Sequence, residues 1–130
     1  MIHLRCQPTN ERPSDVRIGA GALAAVPGLA QGRRVFALVD SCIADRCEAM
    51  RAGPNFAWHV REGGEALKSL ASAESVLRAM VQAQCDRRSI LLAIGGGTIG
   101  DLGGFCASLF ARGIELWHAP TTLLAMVDSA

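Results

Sequence analysis

The chain has 130 residues, a mass of 13.7 kDa and a formal net charge of +1. Half of the residues are apolar, so the sequence supports one folded domain and excludes a disordered chain. The 13 basic and 12 acidic residues form no basic stripe, which argues against a nucleic-acid partner and against binding to an anionic membrane. No apolar run approaches the ~18 residues of a membrane span, and we expect no secretion signal.

The cysteines are five in number, which leaves one of them without a partner in any disulfide framework. None of them forms a C-x-x-C pair, so no zinc site is predicted within this chain. We therefore expect free thiols in a reducing compartment, and a cytoplasmic protein. The cysteines are Cys6, Cys42, Cys47, Cys85 and Cys106.

Short apolar segments begin near the N-terminus. Residues 4–6 and 16–18 are candidate strands that precede the main alternation of strands and helices. Residues 35–39 form a continuous apolar run that ends at Asp40, which is typical of a strand buried on both faces. Residues 56–60 are a weaker strand candidate.

The second half of the chain continues the alternation. A helix is predicted over residues 70–84, with Ser69 as its N-cap. Residues 90–94 predict a second buried strand that ends in glycines, and residues 114–119 predict a last strand that Pro120 stops. The residues expected on one face of the helix are Leu70, Ala73, Leu77, Met80 and Val81.

This alternation predicts an α/β fold. We expect an open, mainly parallel, Rossmann-like sheet with helices on both faces, formed by residues 1–130 as one domain. In such sheets, ligands bind beyond the carboxyl ends of the strands, so candidate site residues are expected there.

A glycine-rich turn follows the second buried strand. Residues 95–100 match G-x-G-x-x-G between a strand and a helix, where free backbone N–H groups favour a phosphate. The spacing alone is a weak signal, because no acidic residue ends the next strand as it does in the standard dinucleotide fingerprint. For residues 95–97 we favour phosphate binding, and for Gly103 and Gly104 we favour close packing of the helix on the sheet.

Other polar residues near this edge have more than one interpretation. Asp40 can accept the hydroxyls of an adenine ribose or cap the following helix, and the sequence leaves both open. Either Thr121 or Thr122 can cap a last helix. Thr121 and Asp128 are seven residues apart, which predicts that they face the same side of that helix. The histidines show no metal-ligand spacing and are interpreted as structural.

Several of these segments together resemble the 3-dehydroquinate synthases, a family of sugar phosphate cyclases. Residues 95–105, GGGTIGDLGGF, look like the glycine-rich block of that family. Residues 112–114, RGI, and residues 120–129, PTTLLAMVDS, follow in the family's order and spacing. Residues 64–68 are similar to its G-E-x-x-K loop, and residues 85–89 resemble the usual entry to the glycine-loop strand.

The resemblance implies a dehydroquinate synthase-like N-terminal domain that binds NAD. It implies that Asp40 holds the adenosine ribose and that Asp128 lies beside the reacting sugar. It also implies that Arg112 reaches the substrate of the neighbouring subunit in a homodimer. The residues implied to bind the cofactor are Asp40, Gly63, Gly64, Glu65, Ala66, Leu67, Lys68, Gly96, Gly97, Thr98, Ile99, Gly100, Asp101, Thr121 and Thr122.

The implied reaction converts 3-deoxy-D-arabino-heptulosonate 7-phosphate to 3-dehydroquinate and phosphate in the shikimate pathway. NAD transiently oxidises a ring hydroxyl, which acidifies the adjacent proton and permits loss of phosphate. The hydride then returns, the ring opens, and an intramolecular aldol step closes the carbocycle. A divalent metal, zinc or cobalt in the family, acts as the Lewis acid.

Three positions depart from the family pattern. Cys42 stands where asparagine is frequent, Gly64 has no preceding aspartate or proline, and Thr98 replaces the more usual valine. The family pattern also continues into a glycine-glycine-lysine motif and a helical domain that holds the metal through one glutamate and two histidines. We therefore expect residues 1–130 to be the NAD-binding domain without the helical metal-binding domain, and to be inactive alone.

Two further functions remain open from the sequence. Other sugar phosphate cyclases, which make valiolone or deoxy-inosose rings, share the same NAD-binding half. A non-catalytic nucleotide-binding module would bind NAD without turning over a substrate. Metal-dependent alcohol and glycerol dehydrogenases rank lower, because they usually lack the block at residues 120–129.

Overall fold

The computed structural model describes residues 1–9 and 11–129. Its strands are β1 Ile2–Cys6, β2 Ser14–Ile18, β3 Val35–Asp40, β4 Phe56–Arg61, β5 Ile90–Gly95 and β6 Glu115–Pro120. Its α-helices are α1 Val26–Ala30, α2 Leu70–Gln82 and α3 Gly97–Leu109. Short 3-10 segments are Leu23–Ala25, Ser41–Ala52, Glu65–Leu67 and Phe110–Arg112, and a π-helical turn is Ala125–Ser129.

Four of the strands form a parallel sheet in the order β4-β3-β5-β6. The central strands β3 and β5 are runs of apolar residues buried along nearly their whole length, as strands covered on both faces must be. The parallel register pairs Asp40 with Arg61 and Gly95 with Pro120, so the four strands end at one edge of the sheet. We call this the carboxyl edge. The open parallel sheet predicted from the sequence is confirmed.

Each face of the sheet is covered by a different set of helices. On one face, side chains such as Phe36 and Leu91 pack against α2 and α3. On the other face, side chains such as Val39 and Leu92 pack against α1 and the Ser41–Ala52 segment. Burying each such side chain contributes about 1.5–3 kcal/mol to folding. Helical cover on both faces is therefore confirmed, although much of the second cover is 3-10 helix.

The two N-terminal strands form a separate antiparallel hairpin, in which Ile2 pairs with Ile18 and Leu4 with Val16. The strands predicted at residues 4–6 and 16–18 are thus confirmed, but they do not join the main sheet. All four of these apolar side chains are exposed. The hairpin therefore adds little to the buried core of the described structure.

Helix α2 begins as predicted, since the Ser69 side chain accepts a hydrogen bond from the Ser72 backbone N–H at 3.1 Å. The predicted buried face is partly wrong, because Leu70 and Val81 are exposed. The face of α2 that packs on the sheet is rotated about the helix axis relative to the predicted face. Leu70 and Val81 lie instead along a groove between α2 and α3. The residues that α2 buries are Ser72, Ala73, Val76 and Met80.

Two glycines of α3 differ in what surrounds them. A Cβ on Gly103 would lie 3.0 Å from the Ala93 Cβ and 3.1 Å from a Leu91 methyl, so glycine lets the helix approach β5 closely. A Cβ on Gly104 would meet only a Leu116 methyl at 3.6 Å, which is an ordinary contact. The predicted packing role is confirmed at Gly103 and does not hold at Gly104.

The last strand includes Pro120 as its final residue instead of stopping before it. The Thr122 hydroxyl accepts from the Ala125 N–H at 3.1 Å, which confirms Thr122 as the capping threonine. Thr121 lies before the helical turn, and its N–H donates to the Gly95 carbonyl at 2.9 Å. The turn that contains Asp128 is π-helical. The prediction that Thr121 and Asp128 share one helix face is therefore wrong.

Within residues 1–9 and 11–129, every helix is too short or too polar to cross a bilayer.

Candidate functional site

The N-terminus of α3 opens at the carboxyl edge directly after β5. Gly96 is the N-cap residue, and no side chain caps the helix. The first intrahelical hydrogen bond runs from the Gly100 N–H to the Gly96 carbonyl at 3.1 Å. The backbone N–H groups of the first helical turn therefore point towards the carboxyl edge, where the helix dipole is positive. This arrangement favours a bound anion such as a phosphate.

The glycines of this turn leave room for different neighbours. A Cβ on Gly95 would lie 2.9 Å from the Ile99 side chain and 3.1 Å from the Asp40 Cβ, so glycine is required there for packing. A Cβ on Gly96 would meet the Thr122 methyl at 3.5 Å, an ordinary contact, so the fold alone does not require glycine at that position. The absence of a side chain at Gly96 instead keeps the backbone open to a ligand.

Asp40 ends β3 beside this turn and has a defined hydrogen-bond partner. Its carboxylate accepts from the Cys42 N–H at 3.1 Å and so caps the Ser41–Ala52 segment, which confirms the capping interpretation. Gly63 packs against the same carboxylate so closely that a Cβ would collide with it. The Asp40 carboxylate raises the pKa of the Cys42 thiol, because it accepts a hydrogen bond from that thiol. The backbone of Cys42 makes the cap contact, so the contact does not depend on which side chain stands at position 42.

Residues 63–68, which we call the strap, cross over the first turns of α3. The Gly64 N–H donates to the Thr98 hydroxyl at 3.0 Å. The Lys68 Nζ lies 2.8 Å from the Asp101 carboxylate and 3.6 Å from the Glu65 carboxylate. Buried Leu67 fixes the middle of the strap in the core. The segments predicted at residues 63–68 and 96–101 are thus in direct contact.

Lys68 supplies a positive charge at this edge. Its hydrogen bond with Asp101 raises the pKa of the ammonium group above its ordinary value, so the group stays protonated at neutral pH. The cation and the positive end of the α3 dipole lie on the same part of the molecule. The charge of Lys68 is balanced locally by the Asp101 and Glu65 carboxylates, so the attraction for an anion at this edge comes mainly from the open N–H groups and dipole of α3.

His118 was interpreted from the sequence only as structural, yet it lies directly beneath the glycine-rich helix. A Cβ on Gly100 would lie 3.3 Å from the His118 Nδ1, so glycine leaves space for the ring. Burial lowers the pKa of His118, although the Asp101 carboxylate partly opposes this effect. The ring is therefore neutral at pH 7 and supports the helix without adding charge. Its strand position opposite α3 was not encoded in any short-range spacing.

The C-terminal segment approaches the same turn. The Thr121 backbone bonds to Gly95, and the Thr122 methyl faces Gly96. A Cβ on Gly97 would lie 3.0 Å from the Ser129 hydroxyl. Asp128 precedes Ser129 in the π-helical turn and is exposed. The two threonines predicted as cofactor contacts thus lie against the glycines predicted to bind phosphate.

Arg112 is the predicted site residue that the structure leaves apart from the others. It follows the C-terminal end of α3, whose 13 residues span about 20 Å. It lies beside Arg87 on the opposite side of the domain from the strap. Ala111 and Arg112 both have positive φ, at 49° and 69°, so this turn is held in an uncommon conformation.

A second concavity lies between α2 and α3, away from the carboxyl edge. This groove has a volume of about 610 Å³ and is lined mainly by apolar side chains, among them Leu70, Leu77, Val81, Phe105 and Leu109. Its polar lining residues are exposed on α2, and two of them, Glu74 and Arg78, pair with each other, so they offer no converging set of groups to a polar ligand. Across the described ranges, 1–9 and 11–129, no three His, Cys, Asp or Glu side chains cluster as metal ligands do.

The fold and the site together define a Rossmann-like α/β domain with an open helix N-terminus at the carboxyl edge of its sheet. The family model described as "3-dehydroquinate synthase N-terminal" matches residues 58–130. A 3-dehydroquinate synthase from Symbiobacterium thermophilum is 39% identical over 126 residues, which is 88% of this chain and 35% of the relative. A 3-dehydroquinate synthase from Nitrobacter winogradskyi is 36% identical over 130 residues, which is 92% of this chain and 34% of the relative.

Solved structures agree with these sequence matches. A 2-deoxy-scyllo-inosose synthase complexed with carbaglucose-6-phosphate, NAD+ and Co2+ superposes with a TM-score of 0.84 at 25% identity, covering 98% of this chain and 38% of that one. The 2-epi-5-epi-valiolone synthase from Streptomyces hygroscopicus, with NAD+ and Zn2+ bound, gives a TM-score of 0.73 at 30% identity over 97% of this chain and 37% of that one.

The chain belongs to the 3-dehydroquinate synthase family. It spans about a third of the length of these relatives. The family resemblance and the Rossmann-like fold predicted from the sequence are both confirmed.

Proposed function

We propose that the chain is the NAD-binding part of a 3-dehydroquinate synthase, a lyase that converts 3-deoxy-D-arabino-heptulosonate 7-phosphate to 3-dehydroquinate and phosphate. The observation that most supports this proposal is the uncapped N-terminus of α3, enclosed by Asp40 on one side and by Lys68 of the strap on the other. This arrangement offers an acceptor for ribose hydroxyls beside a positive site for a pyrophosphate.

The residues present fit a dinucleotide. Asp40 would accept ribose hydroxyls, and the N–H groups from Gly97 onwards would donate to the pyrophosphate. Lys68 would balance its negative charge, and Thr121 and Thr122 would border the nicotinamide side. When bound, NAD supplies a reversible acceptor for the hydride of one substrate hydroxyl.

Two residues of the protein, Lys68 and Asp128, would position the cofactor and the substrate for that reaction. The ion pairs with Asp101 and Glu65 hold the Lys68 ammonium beside the helix N-terminus, where it would share its charge between these carboxylates and a phosphate. Asp128 is exposed on the turn that approaches Gly97, and we propose that its carboxylate orients a hydroxyl of the reacting sugar. Both residues act by positioning groups that would otherwise be free in water.

Arg112 suggests a homodimer. Because it lies about 20 Å from the strap along α3, it does not reach the carboxyl edge of its own chain. We propose that it enters the site of a second copy and there binds an anionic group of the sugar phosphate substrate.

The divalent metal, zinc or cobalt, would come with the helical domain of the longer protein. Within residues 1–9 and 11–129 no suitable ligand cluster forms, so these residues would hold the cofactor while other segments hold the metal. We therefore propose that residues 1–130 alone do not turn over substrate. We further propose a shikimate-pathway role in the cytoplasm, without nucleic-acid or membrane partners; the free thiols of all five cysteines support a reducing compartment.

A second candidate is another sugar phosphate cyclase, of the deoxy-inosose or valiolone type. The close superposition on a 2-deoxy-scyllo-inosose synthase favours it, although the sequence identity to that structure is lower than to the 3-dehydroquinate synthases. A third candidate function is that of a non-catalytic module that binds NAD without turning over a substrate.

The test is turnover by the longest native gene product that contains this chain. It would be incubated with NAD+, Zn2+ or Co2+, and in separate reactions the heptulosonate phosphate, glucose 6-phosphate and sedoheptulose 7-phosphate. The proposal predicts phosphate release and a carbocyclic product, read by NMR, from the first substrate. Turnover of either of the others would establish the second candidate. NAD+ binding without any turnover would establish the non-catalytic module.

A further inference from the structure

Thr98 makes a contact that an apolar side chain of the same shape cannot make. Its hydroxyl accepts the Gly64 N–H at 3.0 Å, joining α3 to a residue 34 positions earlier in the chain. The side chain is partly exposed, so this bond is not forced by the core. A valine at the same position would fill nearly the same volume but has no oxygen to accept the N–H.

The bond fixes the backbone N–H of Gly64, whose carbonyl accepts from the Leu67 N–H at 3.0 Å within the strap. Gly64 has a φ of 120°, which glycine adopts readily and other residues rarely do. Because glycine also adopts many other conformations, the local sequence does not fix this one. The preceding Gly63 lies against the Asp40 carboxylate, so movement of Gly64 would also move the wall beside Asp40. The far end of the strap is held separately by the contact between Lys68 and Asp101.

Thr98 and Asp101 are three residues apart on α3 and therefore lie on the same side of the helix. One of them holds the beginning of the strap and the other holds its end. The strap is thus attached at two points to the same helical turn whose N–H groups form the anion site. A movement of the strap relative to these N–H groups would therefore have to break at least one of the two contacts.

We propose that Thr98 is a positioning residue, whose hydroxyl holds the strap over the N-terminus of α3 before any nucleotide arrives. Its effect on the cofactor rests on the proposed NAD-binding function. Its effect on the strap does not, because the Gly64–Thr98 bond joins two groups of this chain. A strap that is already ordered loses less conformational entropy on binding and therefore increases affinity.

The experiment compares Thr98→Val with Thr98→Ser. Valine removes the acceptor at nearly constant volume, whereas serine keeps the hydroxyl and loses only a methyl group. Amide hydrogen exchange at Gly64 would be followed by NMR on the ¹⁵N-labelled protein without nucleotide. NAD+ affinity would then be measured by calorimetry on the same samples.

We expect exchange at Gly64 to be about ten times faster in Thr98→Val and close to the wild-type rate in Thr98→Ser. We expect NAD+ to bind about three- to tenfold more weakly to the valine variant, with the serine variant restoring most of the loss. Rescue by serine separates the hydroxyl's role from a general packing effect.

Unchanged exchange at Gly64 in Thr98→Val would overturn the proposal. Faster exchange with unchanged NAD+ affinity would show that the strap is held but does not position the cofactor, which would also overturn it. If the wild type itself binds no NAD+, the proposed function fails, and exchange at Gly64 alone decides whether Thr98 holds the strap.

Discussion

At the residue scale, Gly96 and Gly104 lie in the same glycine-rich segment but in different surroundings. An alanine at either position would make only ordinary contacts, at 3.5 Å with Thr122 and at 3.6 Å with Leu116 respectively. Gly96 borders the anion site, whereas Gly104 lies in the interior of α3. Comparing alanine substitutions at these two positions therefore distinguishes a glycine needed for ligand binding from one that binding does not need.

We predict that Gly96→Ala folds normally, with a free energy of unfolding lowered by no more than about 1 kcal/mol, because alanine is a poorer N-cap residue than glycine. Its methyl group would intrude where a phosphate approaches the helix, so NAD+ affinity should fall at least about tenfold, which corresponds to about 1.4 kcal/mol. Urea unfolding and calorimetric titration measure the two quantities.

Gly104→Ala is the matched control for that change. It should stabilise the protein by about 0.5–1 kcal/mol, because alanine is the better helix former, and it should leave NAD+ affinity unchanged. Equal effects of the two variants on NAD+ affinity would contradict the assignment of Gly96 to the site.

Single residues also show what the sequence could and could not predict. Asp40 could be found, because a carboxylate that ends a buried strand is recognisable, and its capping role is confirmed. The Gly64–Thr98 bond and the position of His118 under Gly100 could not, because each joins residues far apart in sequence through the tertiary fold. No short-range spacing encodes such pairs.

At the scale of elements, the amino ends of the strands are tied together by a polar network. The Arg33 guanidinium lies 2.7 Å from the Glu115 carboxylate, and its Nε donates to the Arg88 carbonyl at 2.8 Å. The Trp117 indole N–H donates to the same carboxylate at 2.7 Å. Burial would raise the pKa of Glu115, but the bonds from Trp117 and Arg33 together hold it below its ordinary value.

A carboxyl with a lowered pKa stabilises the fold above its unfolded pKa, and that stabilisation is lost as the pH falls through the folded pKa. We predict that Glu115→Gln lowers the free energy of unfolding by about 0.5–1 kcal/mol at pH 7, since the group is half exposed and screened by water. Below its lowered folded pKa the difference from wild type should shrink towards zero.

Glu74→Gln is the control, because Glu74 pairs with Arg78 at 2.7 Å on the exposed surface of α2. It should change stability by less than about 0.5 kcal/mol at either pH. Urea titrations at pH 7 and at pH 3 measure both variants. A pH-independent loss in Glu115→Gln would contradict the ionic explanation.

The helices also show what apolar periodicity in a sequence cannot predict, namely which neighbour an apolar helix face packs against. The apolar period predicted α2 and two of its buried residues, Ala73 and Met80. It wrongly placed Leu70 and Val81 on the buried face, since these exposed side chains line the α2–α3 groove. An apolar residue on a helix can face the sheet or a neighbouring helix, and a single sequence does not distinguish the two. The Ser41–Ala52 segment has weak helical periodicity, so only the capping interpretation of Asp40 indicated a helix there.

At the scale of the whole molecule, two histidines that are partly removed from water, His59 and His118, make stability depend on pH. Burial lowers the pKa of His59, and the nearby Arg61 lowers it further. The His59 Nε2 is buried without a hydrogen-bond partner among the described residues, and its ring stacks on Phe36 with centroids 5.9 Å apart. His118 is likewise shifted down by burial.

A histidine with a lowered pKa binds fewer protons when folded than when unfolded, so stability rises with pH between the folded and unfolded values. We predict that stability falls as the pH drops from about 7 to 5, below the ordinary histidine pKa of about 6.5. His59→Phe should reduce this slope and stabilise the protein at pH 5. Thermal unfolding of both proteins between pH 5 and pH 7 measures this dependence of stability on pH. A slope that is unchanged in His59→Phe would contradict the explanation that the neutral His59 ring is removed from water.

The overall architecture was more predictable than its details. Continuous Val, Ile and Leu runs at β3 and β5 predicted a parallel sheet, because only strands covered on both faces can be apolar throughout. The N-terminal hairpin was predicted only as strands, since its separation from the sheet depends on contacts that are absent from the local sequence. The position of Arg112, away from the other site residues, likewise became visible only in three dimensions.

Calorimetric titration of the protein with NAD+ tests whether the carboxyl edge is the cofactor site. We expect saturable binding with one site per chain, weakened by Gly96→Ala and by Thr98→Val but not by Gly104→Ala. The absence of saturable binding at millimolar NAD+, or binding that the three variants leave unchanged, would contradict the assignment of the carboxyl edge as the cofactor site.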